Sequence, residues 1–176
     1  KVEVPAVPFV DITAAAGIDF VHHCGAKGQK LLPETMGSGC AVFDFDNDGD
    51  QDLLFVNSCD WPWSRAEGTD SGAAVPGQTL ALYANDGHGQ FENVTGKAGL
   101  AVTLYGMGVA CGDYDNDGWT DLYITAVGPN RLFRNEQGVF RDVTAATRTA
   151  GDESWSTGAA WIDYNRDGRL DLFVAN

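Results

Sequence analysis

Three segments of the chain repeat one acidic pattern, in which Asp or Asn stands at positions 1, 3, 5 and 9 and glycine stands at position 6. We call them loop 1 (44–52), loop 2 (113–121) and loop 3 (163–171). Oxygen ligands at these spacings, with a backbone carbonyl at position 7, suit a hard cation such as Ca²⁺, which binds about 6 to 8 oxygens. The predicted ligands, counting the position 7 carbonyls, are Asp44, Asp46, Asp48, Asp50 and Asp52, then Asp113, Asp115, Asp117, Trp119 and Asp121, then Asp163, Asn165, Asp167, Arg169 and Asp171.

The residues after each loop decide which kind of calcium loop this is. An EF-hand needs a helix and a bidentate Glu at position 12, whereas position 12 here is Phe55, Ile124 or Val174. Each loop is followed by a short run of β-branched and aromatic residues, which is typical of a strand. Thrombospondin-type and dockerin loops would need a further carboxylate or a helix here, and neither is present. We therefore predict that each loop connects two β-strands.

The acidity of the chain is concentrated in these loops. The sequence has 11 Lys and Arg against 25 Asp and Glu, a formal net charge of −14, and 11 of the carboxylates are side chains of predicted ligands. Three bound Ca²⁺ ions would change this charge by six, to −8. Without metal, the clustered charges should repel each other and loosen the loops. Because the chain has no basic run and no long apolar segment, we expect no nucleic acid partner and no membrane insertion.

Two further motifs recur between the loops. Phe-x-x-Ile/Val-Thr starts at Phe9, Phe91 and Phe140, and Leu-aromatic-x-Asn ends at Asn85 and Asn135. One unit therefore comprises a glycine-rich strand, the loop, an apolar strand, the Leu-motif strand, a turn and the Phe-motif strand. Four strands per unit are typical of a β-propeller blade. The predicted fold class is all-β, with four-stranded antiparallel blades.

We expect residues 1–176 to form a single propeller segment. Its predicted parts are a blade-closing strand at 9–18, a blade at 37–100 with an insertion at 58–78, a blade at 105–149 and a partial blade at 155–176. A complete propeller has about 4 to 8 blades, and this segment supplies two complete units and half of a third. We therefore expect it to belong to a larger ring, or to be completed by other chains.

The loop, the glycine-rich strand before it and the Leu-Tyr-x-Asn and Phe-x-x-Val-Thr pair after it resemble the FG-GAP/VCBS repeats of integrin α-chain propellers. Within that family, the sequence is most similar to the ASPIC/UnbV and cartilage-acidic-protein-like secreted proteins. The resemblance implies a calcium-stabilised, usually seven-bladed propeller, located outside the cell or in the envelope, that serves as a binding scaffold without enzymatic activity. Asn165 departs from the Asp expected at position 3 of loop 3, so that site should bind calcium more weakly.

The four cysteines leave two interpretations open. Cys40 and Cys111 lie four and two residues before their loops, so strand alternation directs both to the same kind of face. This favours a Cys40–Cys111 disulfide and, by pairing of the remainder, a Cys24–Cys59 disulfide. Buried free thiols in small-residue strands are the alternative. Disulfides together with millimolar calcium would indicate a location outside the cytoplasm.

The insertion contains three candidate partner-binding residues, Trp61, Trp63 and Arg65. Trp and Arg are favoured at binding hot spots, and a Trp ring also offers a surface for stacking sugars. The competing interpretation is that both tryptophans only seal the edge of the blade beneath the loop.

Other motifs give little support for catalysis. In His22-His23-Cys24, adjacent side chains of an extended chain point in opposite directions, which argues against one shared metal. Ser38 lacks a G-x-S-x-G context, and Gly106-Met-Gly108 misses the dinucleotide fingerprint. Paired carboxylates also occur in glycosidases, but their fixed register here is explained by calcium. We predict that the chain is not an enzyme.

The predicted function is that of a calcium-binding scaffold, extracellular or in the periplasm and envelope, which binds a protein partner or acts as an accessory subunit. Two alternatives stay open. One is a carbohydrate-binding module that uses Trp61 and Trp63, and the other is an enzyme with a site at the propeller axis.

Overall fold

The computed structural model describes residues 9–64, 75–152 and 154–176. Within these ranges the chain contains ten strands, one short α-helix and two single-turn 3₁₀-helices. The strands are β1 (Cys40–Phe43), β2 (Asp52–Phe55), β3 (Ala81–Asn85), β4 (Phe91–Asn93), β5 (Tyr105–Gly112), β6 (Asp121–Val127), β7 (Arg131–Asn135), β8 (Phe140–Asp142), β9 (Gly158–Ile162) and β10 (Asp171–Ala175). The helices are α1 (Thr144–Thr147) and the 3₁₀ turns Leu32–Thr35 and Pro62–Ser64.

The strands form three antiparallel sheets in which sequence neighbours are hydrogen bonded. The first sheet has the order β1-β2-β3-β4, the second has the order β5-β6-β7-β8, and β9 pairs with β10. We call them blade 1, blade 2 and blade 3. The predicted all-β fold with four-stranded antiparallel blades is confirmed, and each acidic loop connects the first two strands of its sheet, as expected. The number of blades in a complete ring stays a prediction.

The apolar side chains of each strand divide between two cores because strand residues alternate between the faces of a sheet. In β1, Ala41 and Phe43 face blade 2, and in β5, Val109 and Cys111 face back toward blade 1. Ala110 lies on the other face of β5 and packs toward blade 3. The first inter-blade core, between blades 1 and 2, is built from Phe43, Phe45, Leu54, Val56, Leu80, Leu82, Ala98, Leu100, Leu104, Leu122, Ile124, Ala126, Phe133 and Phe140.

The second inter-blade core lies between blades 2 and 3. Ala110, Tyr123 and Leu132 are buried there, and the side chains packed against them include Trp161 and Leu172 of blade 3. The number of residues between a strand residue and the first Asp of its loop therefore determines which neighbouring blade its side chain faces. Residues one or three positions before the first Asp face the next blade, and residues two or four positions before it face the preceding one.

This alternation corrects the disulfide prediction. Cys24, Cys40 and Cys111 are free thiols, so neither predicted bridge is present in the structure. Cys40 and Cys111 do face the same way within their own blades, but the blades stack. Cys111 therefore points toward blade 1, while Cys40 is exposed on the opposite face of that blade. The sheet of blade 1 separates the two sulfurs.

Residues 9–18 differ from the predicted closing strand. They form a turn in which the carbonyl oxygen of Ala16 accepts a 2.8 Å hydrogen bond from the backbone N–H of Phe91 in β4. The carbonyl of Ala98 accepts a bond of the same length from the N–H of Phe140 in β8. The Phe-x-x-Ile/Val-Thr motif and the residues after it thus reach the outer strand of the following blade. A strand at 9–18 would need a neighbouring strand for its hydrogen bonds, and the described residues provide none there.

Candidate metal sites

Loops 1 and 2 each gather three carboxylates, those of positions 1, 3 and 5. Asp44, Asp46 and Asp48 offer oxygens that all lie within 4.8 Å of one another, and Asp113, Asp115 and Asp117 do the same. Such a separation fits oxygens that share one cation of calcium size. In loop 3, the side-chain amide of Asn165 instead donates a 3.1 Å hydrogen bond to Asp167 Oδ2.

Each loop is ordered by its own hydrogen bonds, so the carboxylates are held near one another by the backbone. The position 1 carboxylate accepts bonds from the N–H groups of positions 5 and 6, at 3.2 and 2.9 Å for Asp44 and 3.0 and 2.9 Å for Asp113. The position 5 carboxylate accepts a bond from the N–H of position 7, which is Asp50, Trp119 or Arg169. The carbonyl oxygens of those three residues stay predicted ligands.

Glycine at position 6 is required by the backbone. Gly49, Gly118 and Gly168 have φ values of +96°, +89° and +83°, a region in which a residue with a Cβ is strained. This explains the invariant spacing between the glycine and the acidic residues of the pattern.

The position 9 carboxylates hold the turn together, and those of loops 1 and 2 are buried. Asp52 accepts 2.9 and 2.8 Å hydrogen bonds from the backbone N–H groups of Phe45 and Asn85, and Asp121 is bonded in the same way to Tyr114 and Asn135. In loop 3, Asp171 accepts a 3.0 Å bond from the N–H of Tyr164. These side chains lie outside the groups of three, so each has a structural role whether or not it also binds metal.

The electrostatics of the loops favour a bound cation. Burial raises the pKa of Asp121 to about 6, and the charges of Asp115 and Asp117 add to that rise. Burial and the nearby charge of Asp48 raise the pKa of Asp46. In addition, Asp46 Oδ1 is buried without a hydrogen-bond partner in the described structure. An unpaired buried carboxylate oxygen is costly unless a cation compensates it, so the donor set of loop 1 fits Ca²⁺.

Asn85 and Asn135 recur at the end of the Leu motif, but the motif alone does not indicate their role. Each side-chain amide donates to the carbonyl at position 8 of its own loop, which is Gln51 O at 3.0 Å and Thr120 O at 3.1 Å. Asn135 also donates a 2.7 Å bond to Phe45 O in loop 1. The signal in the sequence was the recurrence of Asn at the end of the Leu motif.

A guanidinium group contacts loop 2. Arg134 Nε lies 2.8 Å from Asp115 Oδ2, and Arg134 Nη2 lies 3.1 Å from Asp117 Oδ2. The matching residue of blade 1 is Ala84, two positions after Leu82 as Arg134 is two positions after Leu132. The two loops therefore share a ligand pattern but differ in their neighbouring charge.

The candidate binding residues of the insertion have different exposures. Trp61 is 5% exposed and stacks on Tyr105, with 4.2 Å between ring centroids. Trp63 is 61% exposed and stacks on the other side of Trp61 at 4.9 Å. Arg65 lies outside the described residues. Trp61 thus acts as a packing residue, while Trp63 presents an open ring face.

The histidine pair is divided between two different hydrogen-bond partners. His22 Nε2 lies 2.9 Å from Ser38 Oγ, and His23 Nε2 lies 3.0 Å from Asp60 Oδ1. The Ser38 hydroxyl also lies 2.8 Å from the carbonyl oxygen of Gly106, to which it can donate. The two histidines do not share a site, as strand geometry predicts, and the Ser38 contacts connect the start of blade 1 to β5.

The sequence profile of the FG-GAP-like repeat matches residues 44–124 and 113–174. The chain belongs to the FG-GAP-like repeat family. Among curated proteins, this FG-GAP-like chain is 26% identical over 178 residues to cartilage acidic protein 1 of Xenopus tropicalis, covering 96% of this chain and 23% of that protein. It is 24% identical over 177 residues to cartilage acidic protein 1 of Homo sapiens, covering 96% of this chain and 22% of that protein. It spans less than a quarter of the length of these relatives.

The same FG-GAP-like units contain little helix. Among the described residues, none of the helices has the length and apolar character needed to cross a bilayer.

Proposed function

We propose that this chain is a calcium-stabilised part of a β-propeller scaffold that binds a protein partner or serves as an accessory subunit. The observation that carries the proposal is the gathering of three carboxylates in loop 1, one of which, Asp46, has a buried oxygen, Oδ1, without a hydrogen-bond partner. The three sites would use the ligands predicted above, with loop 3 weaker because Asn165 replaces a carboxylate.

The residues of each loop would stabilise the turn in two ways. Asp44 and Asp52 fix the turn through the backbone N–H groups that they bind. Asp46 and Asp48 then bring negative charge into a small volume, where the bound ion would supply the positive charge that cancels their repulsion. Metal binding and blade folding should therefore be coupled.

A role in protein interaction is supported by membership of the FG-GAP-like family and by the propeller architecture, which is a frequent interaction scaffold. A location outside the cytoplasm agrees with calcium sites of this kind, which fill at the calcium levels found there. The matched relatives carry the name cartilage acidic protein, and an extracellular location for this chain would agree with that name.

Native mass spectrometry of the protein isolated from its source, in a volatile buffer that contains calcium, tests the proposal. We expect calcium-bound chains and a heavier assembly with a second component. The Asp46→Ala variant should lose one calcium, whereas Glu92→Ala should lose none, because Glu92 is an exposed carboxylate outside the loops that pairs with Lys97. A metal-free chain at millimolar calcium would contradict the calcium role, and a chain without partners would contradict the interaction role.

A carbohydrate-binding role is the second candidate, and the exposed ring of Trp63 favours it. The ring is held flat against Trp61, with 6° between the two planes, and its Nε1 donates a 3.2 Å hydrogen bond to Gln29. A fixed, exposed aromatic face is suited to stacking on a sugar ring. Saccharide binding on a glycan array that Trp63→Ala abolishes would support this role, and an array without signal would contradict it.

A further inference from the structure

We propose that Arg134 is an internal competitor for the calcium site of loop 2, so that loop 2 binds Ca²⁺ more weakly than loop 1 and does so by displacing the guanidinium group. This inference rests on the proposed calcium role of the loops. Arg134 would set the calcium affinity of loop 2 relative to that of loop 1, although the two loops have the same ligand pattern.

Arg134 and Ala84 occupy equivalent places in their blades. The following residues, Asn135 and Asn85, each donate their backbone N–H to the position 9 carboxylate of the adjacent loop, at 2.7 and 2.8 Å. Their side-chain amides each donate to the position 8 carbonyl. Because the third strand is anchored to the loop in the same way in both blades, the residue before the Asn approaches the acidic cluster from the same direction.

The guanidinium group binds the same carboxylates that a metal would use. Arg134 Nε and Nη2 contact the position 3 and position 5 residues, Asp115 and Asp117, at 2.8 and 3.1 Å. The Nη2–Asp117 contact is a charge-assisted hydrogen bond. The Nε–Asp115 contact is an ion pair by distance only, because Nε has no hydrogen-bond partner. A cation that bridged Asp113, Asp115 and Asp117 would have to replace these contacts and would meet a like charge at short range.

Loop 1 has no corresponding obstacle in the described structure. The methyl group of Ala84 cannot form an ion pair, and Asp46 Oδ1, at position 3 of loop 1, is unpaired. Asp46 is therefore available to a cation in loop 1, whereas its counterpart in loop 2, Asp115, forms an ion pair with Arg134.

The site of loop 2 has room for the arginine to leave. A cleft lined by Asp117, Trp119, Arg134 and Glu136 opens beside the loop, and the Arg134 side chain is 38% exposed. Displacement would thus move the guanidinium group toward solvent, without opening the inter-blade core. Loop 1 should fill first as calcium rises, and loop 2 should fill at a higher concentration.

Trp119 provides a readout specific to loop 2. It stands at position 7, where loops 1 and 3 have Asp50 and Arg169. Terbium, which replaces calcium at oxygen sites, should therefore show indole-sensitised luminescence from loop 2, and the part of the signal that Trp119→Phe removes reports on that loop. Calcium titration against bound terbium gives the affinity of loop 2, and isothermal titration calorimetry gives both sites.

The decisive variants are Arg134→Ala, Arg134→Gln and the reciprocal Ala84→Arg. Arg134→Ala and Arg134→Gln should each tighten calcium binding at loop 2 by about tenfold, since two partly exposed ion pairs are removed, and should leave loop 1 unchanged. Ala84→Arg should weaken loop 1 by a similar factor. Circular dichroism melts identify any variant that fails to fold, and the glutamine variant retains most of the side-chain volume.

The outcomes separate this inference from the calcium role itself. If loop 1 binds calcium and the arginine variants leave loop 2 unchanged or weaken it, the competitor role is wrong while the calcium role stands. If wild-type loops 1 and 2 bind with equal affinity, the competitor role is also wrong. If no loop binds calcium, both proposals fail.

Discussion

The side-chain amide of Asn47 in loop 1 donates a 3.1 Å hydrogen bond to the carbonyl oxygen of Gly118 in loop 2. The contact between the next two loops is equivalent, with Asn116 Nδ2 at 3.5 Å from Gly168 O. Position 4 of one loop is thus linked to position 6 of the next. Both asparagines have left-handed φ values near +60°, a conformation that Asn tolerates better than most residues. The acidic loops therefore form a connected row along one edge of the blades.

Removal of the Asn47 amide should weaken this link. Asn47→Gly keeps a residue that tolerates positive φ, so it isolates the hydrogen bond, whereas Asn47→Ala also adds backbone strain. With one net hydrogen bond lost, about 1 kcal/mol, Asn47→Gly should lower the melting temperature by about 2–4 °C. Asn47→Ala should lower it further. A Gly variant that melts like the wild type would mean that Asn47 serves only the backbone conformation.

Asp46→Ala should lower the melting temperature in calcium but not in excess chelator. In calcium, the variant loses a ligand and should melt at a lower temperature than the wild type. In excess chelator, the wild type carries a half-buried carboxylate, Asp46, whose pKa is raised by burial and by the charge of Asp48. Asp46→Ala should therefore melt at an equal or higher temperature there. Asn165→Ala should show a smaller loss in calcium because it removes no charge. Differential scanning calorimetry in both buffers makes the comparison, and a wild-type melt that is unaffected by chelator would contradict the calcium role.

Cys40 and Cys111 should differ sharply in reactivity. Cys40 is exposed, whereas burial against the first inter-blade core raises the pKa of the Cys111 thiol to about 12. Since the thiolate is the reactive form, a short iodoacetamide pulse near pH 8 should label Cys40 and spare Cys111 until the protein is denatured. Peptide mapping by mass spectrometry gives the result. Equal protection of both cysteines, with a loss of two hydrogens in the intact mass, would instead show that they are bridged.

A methyl group at Gly112 should disrupt the second inter-blade core. A Cβ at this position would lie 2.6 Å from Trp161 Cδ1 and 3.0 Å from its Cγ, so the indole ring would have to move. Overpacking of this kind costs about 1–3 kcal/mol of stability. Gly158→Ala is the matched control, because it is also a strand glycine and a Cβ there meets no atom within 4 Å. Urea unfolding of both variants should show a loss for Gly112→Ala alone, and equal losses would argue against close packing at Trp161.

The features that were predictable from sequence are local. The loop pattern locates glycine at the positive φ position and acidic residues at the hydrogen-bonding positions, and the flanking apolar runs are long enough for strands and too short for helices. The gathering of Asp113, Asp115 and Asp117 follows from that short-range pattern. Blade composition could be predicted too, because the Leu and Phe motifs recur in a fixed order after each loop.

The features that escaped prediction depend on how separate strands align. The contact of Arg134 with loop 2 arises because β7 pairs with β6 in the register that sets Phe133 opposite Leu122, which the sequence does not state. The face of Cys40 was inferred correctly within its blade, but its separation from Cys111 depends on the stacking of whole sheets. Residues 9–18 carry the Phe motif without a neighbouring strand, so sequence similarity alone suggested a strand where a turn is found.

The alternation of side chains around each loop has a consequence for how such repeats diverge. A residue at an odd distance before its loop contacts the following blade, and a residue at an even distance contacts the preceding one, as Ala110 and Cys111 do from adjacent positions. Compensating substitutions should therefore connect odd positions of one repeat with even positions of the next. In an alignment of such chains, correlated substitutions should pair an odd position of one repeat with an even position of the next, about one repeat length away. Such pairs would show which blade follows which, and in which direction, in any chain built from these units.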